Sequence, residues 1–276
     1  MKKVYTRLLC MFLVVILLLC IGGLTIVMAQ PLQMVKESTL TKVLEKKVLR
    51  VGILNTSKPW GYLDKDFNNV GFEPDIAKLM AEALGVKLEL VETENINRVP
   101  FLVTGKVDIV IAAFANTLER AKSVSFSKAY APYALVVVGS KDDVDFKNWT
   151  DTAGLKVALA RGTTSDLFLS EKATKGTEIV RYETASDCFL ALEQGKVDAV
   201  SEGYTLVAAY IKLHPKWEIK GDPFSRTFPC MGVVLGDQVW LNWVNLFIDH
   251  MLNGGKIQEL WVKHFEVPWT NIWLSY

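Results

Sequence analysis

Along this chain apolar residues recur in two alternating rhythms. Short β-branched runs give way to stretches whose apolar residues lie three and four positions apart, the marks of strands followed by helices. After a polar stretch from Gln30, Leu40 to Lys47 reads as a short helix and Val48 to Ile53 as a strand. The segment from Ser57 to Tyr62 has the turn chemistry of a loop over a sheet's end, and Asp66 to Asn69 reads as a hairpin turn. Ile76, Leu79, Met80 and Ala83 mark a helix from Ile76 to Leu84 that stops at Gly85. Val86 to Val91 is the next strand, Asn97 to Thr104 the next helix, and Val107 to Ile111 a strand buried on both sides. This order predicts a parallel sheet with helices packed on its faces.

The grammar then repeats without the sequence repeating. Ala134 to Gly139 is a strand, and the polar stretch from Ser140 to Thr152 resembles a crossing between lobes. Strands at Leu155–Leu159, Ile179–Tyr182 and Val197–Val200 alternate with helices at Asp166–Ala173 and Ser186–Gln194, with a turn at Gly162–Ser165. Gly105-Lys106-Val107-Asp108 and Gly195-Lys196-Val197-Asp198 occupy equivalent places, each a helix stop before a strand. Met231 to Leu235 returns as a strand, and Val239–Asn253 and Lys256–Phe265 read as amphipathic helices. Trp240, Trp243, Trp261, Trp269 and Trp273 are expected to pack the core. The fold class is α/β with two similar lobes, each a mainly parallel sheet flanked by helices.

Composition narrows the function. A net charge of +1 without a basic tract argues against a nucleic-acid partner, which would need a localised positive field. Lys2, Lys3 and Arg7 precede an apolar run from Leu8 to Met28, and Val27-Met28-Ala29 suits a signal peptidase. Residues 1–29 are therefore a signal peptide or, since the run approaches the length of a bilayer span, an uncleaved anchor. Either way the bulk of the chain lies outside the cytoplasm, periplasmic or extracellular. Cys188 and Cys230 are left in the exported part, as one disulfide or two buried thiols. His214, His250 and His264 are scattered, and no metal or cofactor is expected.

The run Ala112-Ala113-Phe114-Ala115-Asn116-Thr117-Leu118-Glu119-Arg120 follows the strand ending at Ile111. Asn116 or Thr117 could cap a helix beginning at Leu118. Ligands of open α/β sheets bind beyond the carboxyl ends of strands, so Arg120 faces the expected pocket with planar paired donors for a carboxylate. The Gly162-Thr163-Thr164 turn opens a helix, which aims free N–H groups at an anion.

Together, Leu49-Arg50-Val51-Gly52, Gly71-Phe72-Glu73-Pro74-Asp75-Ile76-Ala77, Thr117-Leu118-Glu119-Arg120-Ala121, Phe126-Ser127-Lys128-Ala129-Tyr130, Gly162-Thr163-Thr164 and the two Gly-Lys-Val-Asp segments resemble the family of periplasmic amino-acid-binding proteins that serve ABC importers. The resemblance spans Lys47 to Phe265. It implies a type II periplasmic-binding-protein fold, with residues 30–134 and 236–276 forming lobe 1, residues 135–235 forming lobe 2, and two crossing strands between them. It implies a non-enzymatic monomer without cofactor that closes on an amino acid or small carboxylate and delivers it to an ABC permease in the membrane.

On that resemblance Arg120 clamps the ligand's carboxylate, Thr117 belongs to the same motif, and Gly162, Thr163 and Thr164 face it from the other lobe. Ala113, Phe114 and Ala115 line the site. The departures concern the ammonium: the family's aspartate position is Gly203 here, and Ala115 stands where a hydroxyl is usual. Glu202, one position earlier, is the candidate substitute, although strand alternation turns it to the other face. Ser57 and Asn95 replace the stacking aromatics, Trp60, Tyr62 and Phe114 are candidate apolar walls, and Arg98 stands where members selecting acidic side chains carry an arginine. The direction of Arg161 is not legible. Competing expectations are a lyase resembling cyclohexadienyl dehydratases, with Glu202 as general acid, and a membrane-tethered sensor.

Overall fold

The computed structural model describes residues 33, 35–143, 145–266 and 269. The amino-terminal apolar run and Trp273 lie outside the described residues.

In chain order the first elements are Thr39–Lys46 (α1), Val48–Ile53 (β1), Thr56–Ser57 (β2), Gly61–Leu63 (β3), Asn69–Val70 (β4), Phe72–Leu84 (α2), Lys87–Glu92 (β5), Arg98–Val103 (α3), Ile109–Val110 (β6), Val124–Ala129 (β7) and Tyr133–Ser140 (β8). Lys156–Ala160 (β9), Thr164–Lys172 (α4), Glu178–Tyr182 (β10), Ala185–Glu193 (α5), Ala199–Gly203 (β11), Tyr204–Leu213 (α6), Trp217–Ile219 (β12), Ser225–Thr227 (β13), Cys230–Val234 (β14), Gln238–Asn253 (α7) and Lys256–Phe265 (α8) complete them.

Two large sheets define two lobes. The first has the order β5-β1-β6-β14-β7, with β1 parallel to β5 and β6, and β14 antiparallel to its neighbours. The second runs β10-β9-β11-β8-β12, parallel through β10, β9 and β11, with β13 also on β8. A small antiparallel sheet of β2, β3 and β4 stands beside the first. The strand–helix alternation is therefore as expected.

Burial explains why each lobe holds. Leu49, Val51 and Ile53 alternate inward from β1 against Ile76, Ala77 and Met80 of α2, and Trp240 and Trp261 of the carboxyl-terminal helices close the same core. In the second lobe Val136, Val138, Ala158 and Val200 fill one face of the sheet, and Val137, Val157 and Leu159 the other. A strand covered on both faces needs apolar residues at successive positions, which is what its run supplies.

Three expectations need correction. Cys230–Val234 pairs within the first sheet, so the strand at 231–235 belongs to lobe 1, and the chain crosses near 130–132 and 228–229. Tyr130 N donates to Pro229 O at 3.0 Å and ties the crossings together. The helix expected from Leu118 is a single 3-10 turn, Arg120–Lys122, because β7 begins only two residues later. Cys188 and Cys230 are both buried and free, one in each lobe, so the disulfide alternative falls. Helix α6 and strands β7, β12 and β13 are absent from the sequence reading.

Candidate functional site

The two lobes meet at a cleft beyond the carboxyl end of β6. There the chain turns through Ala112–Ala115, and Ala113 has a φ of +44°, a left-handed conformation that costs a residue with a Cβ free energy. It is held by Glu73, the second residue of α2, whose Oε1 accepts the Ala113 N–H at 2.6 Å and the Tyr130 hydroxyl. The Ala112 and Ala113 carbonyls are thereby fixed, and both accept from Arg98 Nη1, at 3.0 and 3.1 Å. Arg98 Nε donates to Asn95 O at 2.9 Å, and its Nη2 reaches Gly162 O of the second lobe at 3.1 Å. Four of the five guanidinium N–H groups are thus committed to carbonyls.

Arg120 lies beside it with fewer commitments. Its Nη1 donates to Ala115 O at 2.7 Å and its Nη2 to the same Gly162 O at 2.8 Å. Thr117 Oγ1 accepts from Arg120 N at 3.2 Å and sets the turn that presents the side chain. Both guanidiniums sit over the Phe114 ring, at 5.0 and 5.1 Å from its centroid. Phe114 is pinned in turn by Phe126 and by Gly232, where a Cβ would stand 2.7 Å from the ring. Burial, and next the charge of Arg120, lowers the Arg98 pKa to about 9, while burial lowers Arg120 to about 10. Both remain cations at neutral pH.

The second lobe answers with a turn and a carboxylate. Gly162 has a φ of +70° and lies so close to Ile96 that a Cβ would meet its backbone at 3.2 Å. Its N–H is taken by Asp166 Oδ2 at 2.9 Å, so the turn offers its carbonyl to the arginines and no amide from this residue. Thr163 is the N-cap of α4: its hydroxyl accepts from Asp166 N at 3.2 Å and donates to Ala160 O at 2.7 Å. Thr164 also lines the cleft, at the first position of α4, where backbone N–H groups lack intrahelical partners.

Glu202 corrects the alternation argument, for it is buried and lines the cleft. Strand β11 ends one residue later, where Gly203 caps α6. Glu202 Oε1 accepts the Gly203 N–H at 2.7 Å and the Tyr133 hydroxyl at 2.9 Å. A Cβ at Gly203 would lie 2.2 Å from Tyr133 Oη. The residue that leaves the family's aspartate position bare therefore makes room for the tyrosine that braces Glu202. Burial raises the Glu202 pKa.

Of the anticipated site residues, Ser57, Trp60, Arg98, Ala113, Thr163, Thr164 and Glu202 share this lining. Trp60 faces it while fully buried among Phe72, Tyr133, Trp261 and Phe265, and its Nε1 donates to Thr205 Oγ1 across the lobes at 3.0 Å. Thr117, Phe114, Ala115, Gly162 and Gly203 form the support around it, with Phe114 beneath the guanidiniums rather than at a wall, and Arg120 stands at the edge of the lining beside Arg98, its Nη2 on Gly162 O. Tyr62 stands outside the lining, and Arg161 turns to Glu183 at 3.1 Å. Glu73, Tyr130 and Tyr133 escaped the sequence reading. Glu73 carried a signal: with Ile76, Ala77 and Met80 it occupies an apolar helical stripe, an odd place for a carboxylate.

Two lobes, a crossing pair of segments and a cationic cleft between them define a bilobal ligand-binding protein. Residues 49–267 match the bacterial extracellular solute-binding proteins, family 3, and the chain belongs to that family. It is 32% identical over 249 residues to a glutamate/aspartate import solute-binding protein of Salmonella typhimurium, covering 84% of this chain and 80% of that one. Among solved structures it is similar to the ancestral amino acid-binding protein AncCDT-1, a precursor of cyclohexadienyl dehydratase, at a TM-score of 0.78 and 33% identity, over 83% of this chain and all of that one. The solute receptor for L-cysteine of Neisseria gonorrhoeae aligns at 0.77 and 32%, over 82% and 92%. Among the described residues no helix is long and apolar enough to cross a membrane.

Proposed function

We propose that this chain is the solute-binding component of an ABC importer and that it captures a small α-amino acid between its lobes, outside the cytoplasmic membrane. The observation that carries the reading is the meeting of two first-lobe guanidiniums with the Gly162 turn of the second lobe, next to Glu202. A carboxylate placed there receives the uncommitted donors of Arg120, the remaining N–H of Arg98, and the first-turn amide and the hydroxyl of Thr164. Glu202, braced through one oxygen, offers the other to the ammonium. The missing aspartate is thus replaced from the neighbouring position.

Capture is closure: the Gly162 carbonyl reaches both arginines only when the lobes meet, so a ligand that bonds both faces shifts the population to the closed form. The closed form is then what a membrane permease recognises. Arg98 has one N–H left, so its charge rather than a full bidentate fork acts on the ligand. Isothermal calorimetry of the purified protein against amino acids and dicarboxylates tests the reading. Saturable binding of an α-amino acid supports it; binding of a carboxylate lacking the ammonium with equal affinity removes Glu202 from its role.

A second reading, a lyase with Glu202 as general acid, draws on the burial that favours its protonated form. Analysis of the calorimetric mixture separates the two: unchanged ligand after incubation means capture, and a dehydrated product means turnover.

A further inference from the structure

Beneath the cationic wall lies a carboxyl group to which the capture reading assigns no task. Glu73 is fully buried, and while Oε1 holds Ala113 N and the Tyr130 hydroxyl, Oε2 is buried without a hydrogen-bond partner. A helix start needs no such residue, because an exposed acid in the first turn serves the dipole equally well. Asp75, two positions on, does so with Lys78, Lys263 and His264 around it. Glu73 instead ends a chain of contacts that leads to the cleft: its Oε1 holds Ala113 in a left-handed conformation, the Ala112 and Ala113 carbonyls hold Arg98, and Arg98 lines the cleft.

We propose that Glu73 is a positioning residue of the anion subsite and that its charge state tunes how strongly that subsite holds a carboxylate. The inference rests on the capture reading. The charged and titratable groups that face Glu73 are Arg98 of α3, Tyr130 of the crossing segment and, further off, Tyr133 of β8. Arg98 is therefore the cation whose field an ionised Glu73 offsets. Burial raises Glu73 to about 7 against the bonds from Tyr130 and Ala113, so its charge changes near neutrality. A bound carboxylate beside Arg98 favours the protonated form, and by linkage protonation favours the carboxylate. Glu202 works in the opposite sense, because an ammonium favours its ionised form.

The test titrates L-glutamate, L-glutamine and L-cysteine into wild type, Glu73→Gln and Glu73→Ala from about pH 6 to about pH 8. Glutamine keeps an acceptor for Ala113 N and cannot ionise, so the difference between wild type and Glu73→Gln isolates Glu73 from Glu202. For any probe that binds, wild-type affinity is expected to fall across this range by about fivefold or more relative to Glu73→Gln. Glu73→Ala is expected to bind weakly throughout. An identical pH profile in wild type and Glu73→Gln, or full affinity in Glu73→Ala, overturns the proposal.

A second readout needs no ligand. Because the folded value of about 7 lies above the ordinary 4.5, the contribution of Glu73 to stability is complete below about 4.5 and is lost as pH rises through about 7. The melting temperature of wild type should decline over that window more steeply than that of Glu73→Gln. Parallel curves would show that Glu73 does not change charge there and overturn the proposal. If no probe binds any variant while the melting curves diverge, the capture reading fails and the titration of Glu73 stands.

Discussion

The two walls of the cleft are built by opposite means. On the first lobe, charge is fixed by backbone: three of the Arg98 bonds and one of the Arg120 bonds go to carbonyls of that same lobe, over one shared phenyl ring. On the second lobe, backbone and side chains of one short turn satisfy one another, and the carboxylate of Glu202 in the lining is braced by a tyrosine from the next strand. The bonds that set the first wall lie within one lobe and require no contact with the other. The second contributes mainly on closure, when Gly162 O accepts from both arginines. Affinity should therefore be most sensitive on the first wall, and closure and ligand class on the second.

The largest effect tests that asymmetry directly. Arg120→Ala removes the cation with the most uncommitted donors and one of the closure bonds, and truncation in a desolvated charged contact costs about 2–5 kcal/mol. Capture of any carboxylate should fall by about 30-fold at least, measured by calorimetry. Wild-type affinity would remove Arg120 from the site. On the opposite wall, Gly203→Ala drives a Cβ into Tyr133, and overpacking of this kind costs about 1–3 kcal/mol. It should lower the melting temperature and weaken amino acids more than simple carboxylates. Equal losses for both would mean that the Tyr133–Glu202 pair holds no ammonium.

Phe114→Leu sharpens the comparison without removing a charge. The aromatic face under two guanidiniums is worth about 0.5–2 kcal/mol, and leucine keeps most of the apolar volume. Affinity should drop by a few-fold, about 1 kcal/mol, with folding retained. No change would mean that the carbonyls alone hold the arginines.

The same asymmetry explains what the sequence disclosed. Most strands and helices were legible, because buried runs such as Val48–Ile53 and stripes such as Ile76, Met80 and Ala83 are one-dimensional signals, whereas β7, with the polar Ser125, Ser127 and Lys128 in its run, was not. The place of Arg120 after a buried strand, bonded across the cleft to Gly162 O, was legible as well, while its contact with a ligand is the proposal above. The bracing of Glu202 was not, since strand alternation is suspended where β11 ends and Tyr133 arrives from a strand 69 residues earlier in a pairing that only the fold creates. Helix α6 was missed because Tyr204–Leu213 is largely apolar all round and gives a weak amphipathic pattern. The crossings near 130 and 229 were misplaced, and the polar stretch Ser140–Thr152 read as a crossing lies within lobe 2 between β8 and β9, because β7 with β8 and β13 with β14 follow each other almost without a break.

The smallest effect separates adjacent threonines that the sequence could not tell apart. Both line the cleft, but Thr163 commits its hydroxyl as donor to Ala160 O and acceptor from Asp166 N, both within its own lobe, whereas among the described residues the Thr164 hydroxyl, at the first position of α4, makes no such commitment. Losing an N-cap costs about 1 kcal/mol. Thr163→Ala should therefore lower stability by about that amount and leave affinity within about twofold, while Thr164→Ala should leave stability unchanged and weaken capture by about 1 kcal/mol, the worth of one hydrogen bond. Paired denaturant melts and calorimetry on the two variants measure this. If Thr163→Ala lost affinity while keeping its stability, the turn would be offering its hydroxyl to ligand rather than to its helix, and the second wall would be as directly engaged as the first.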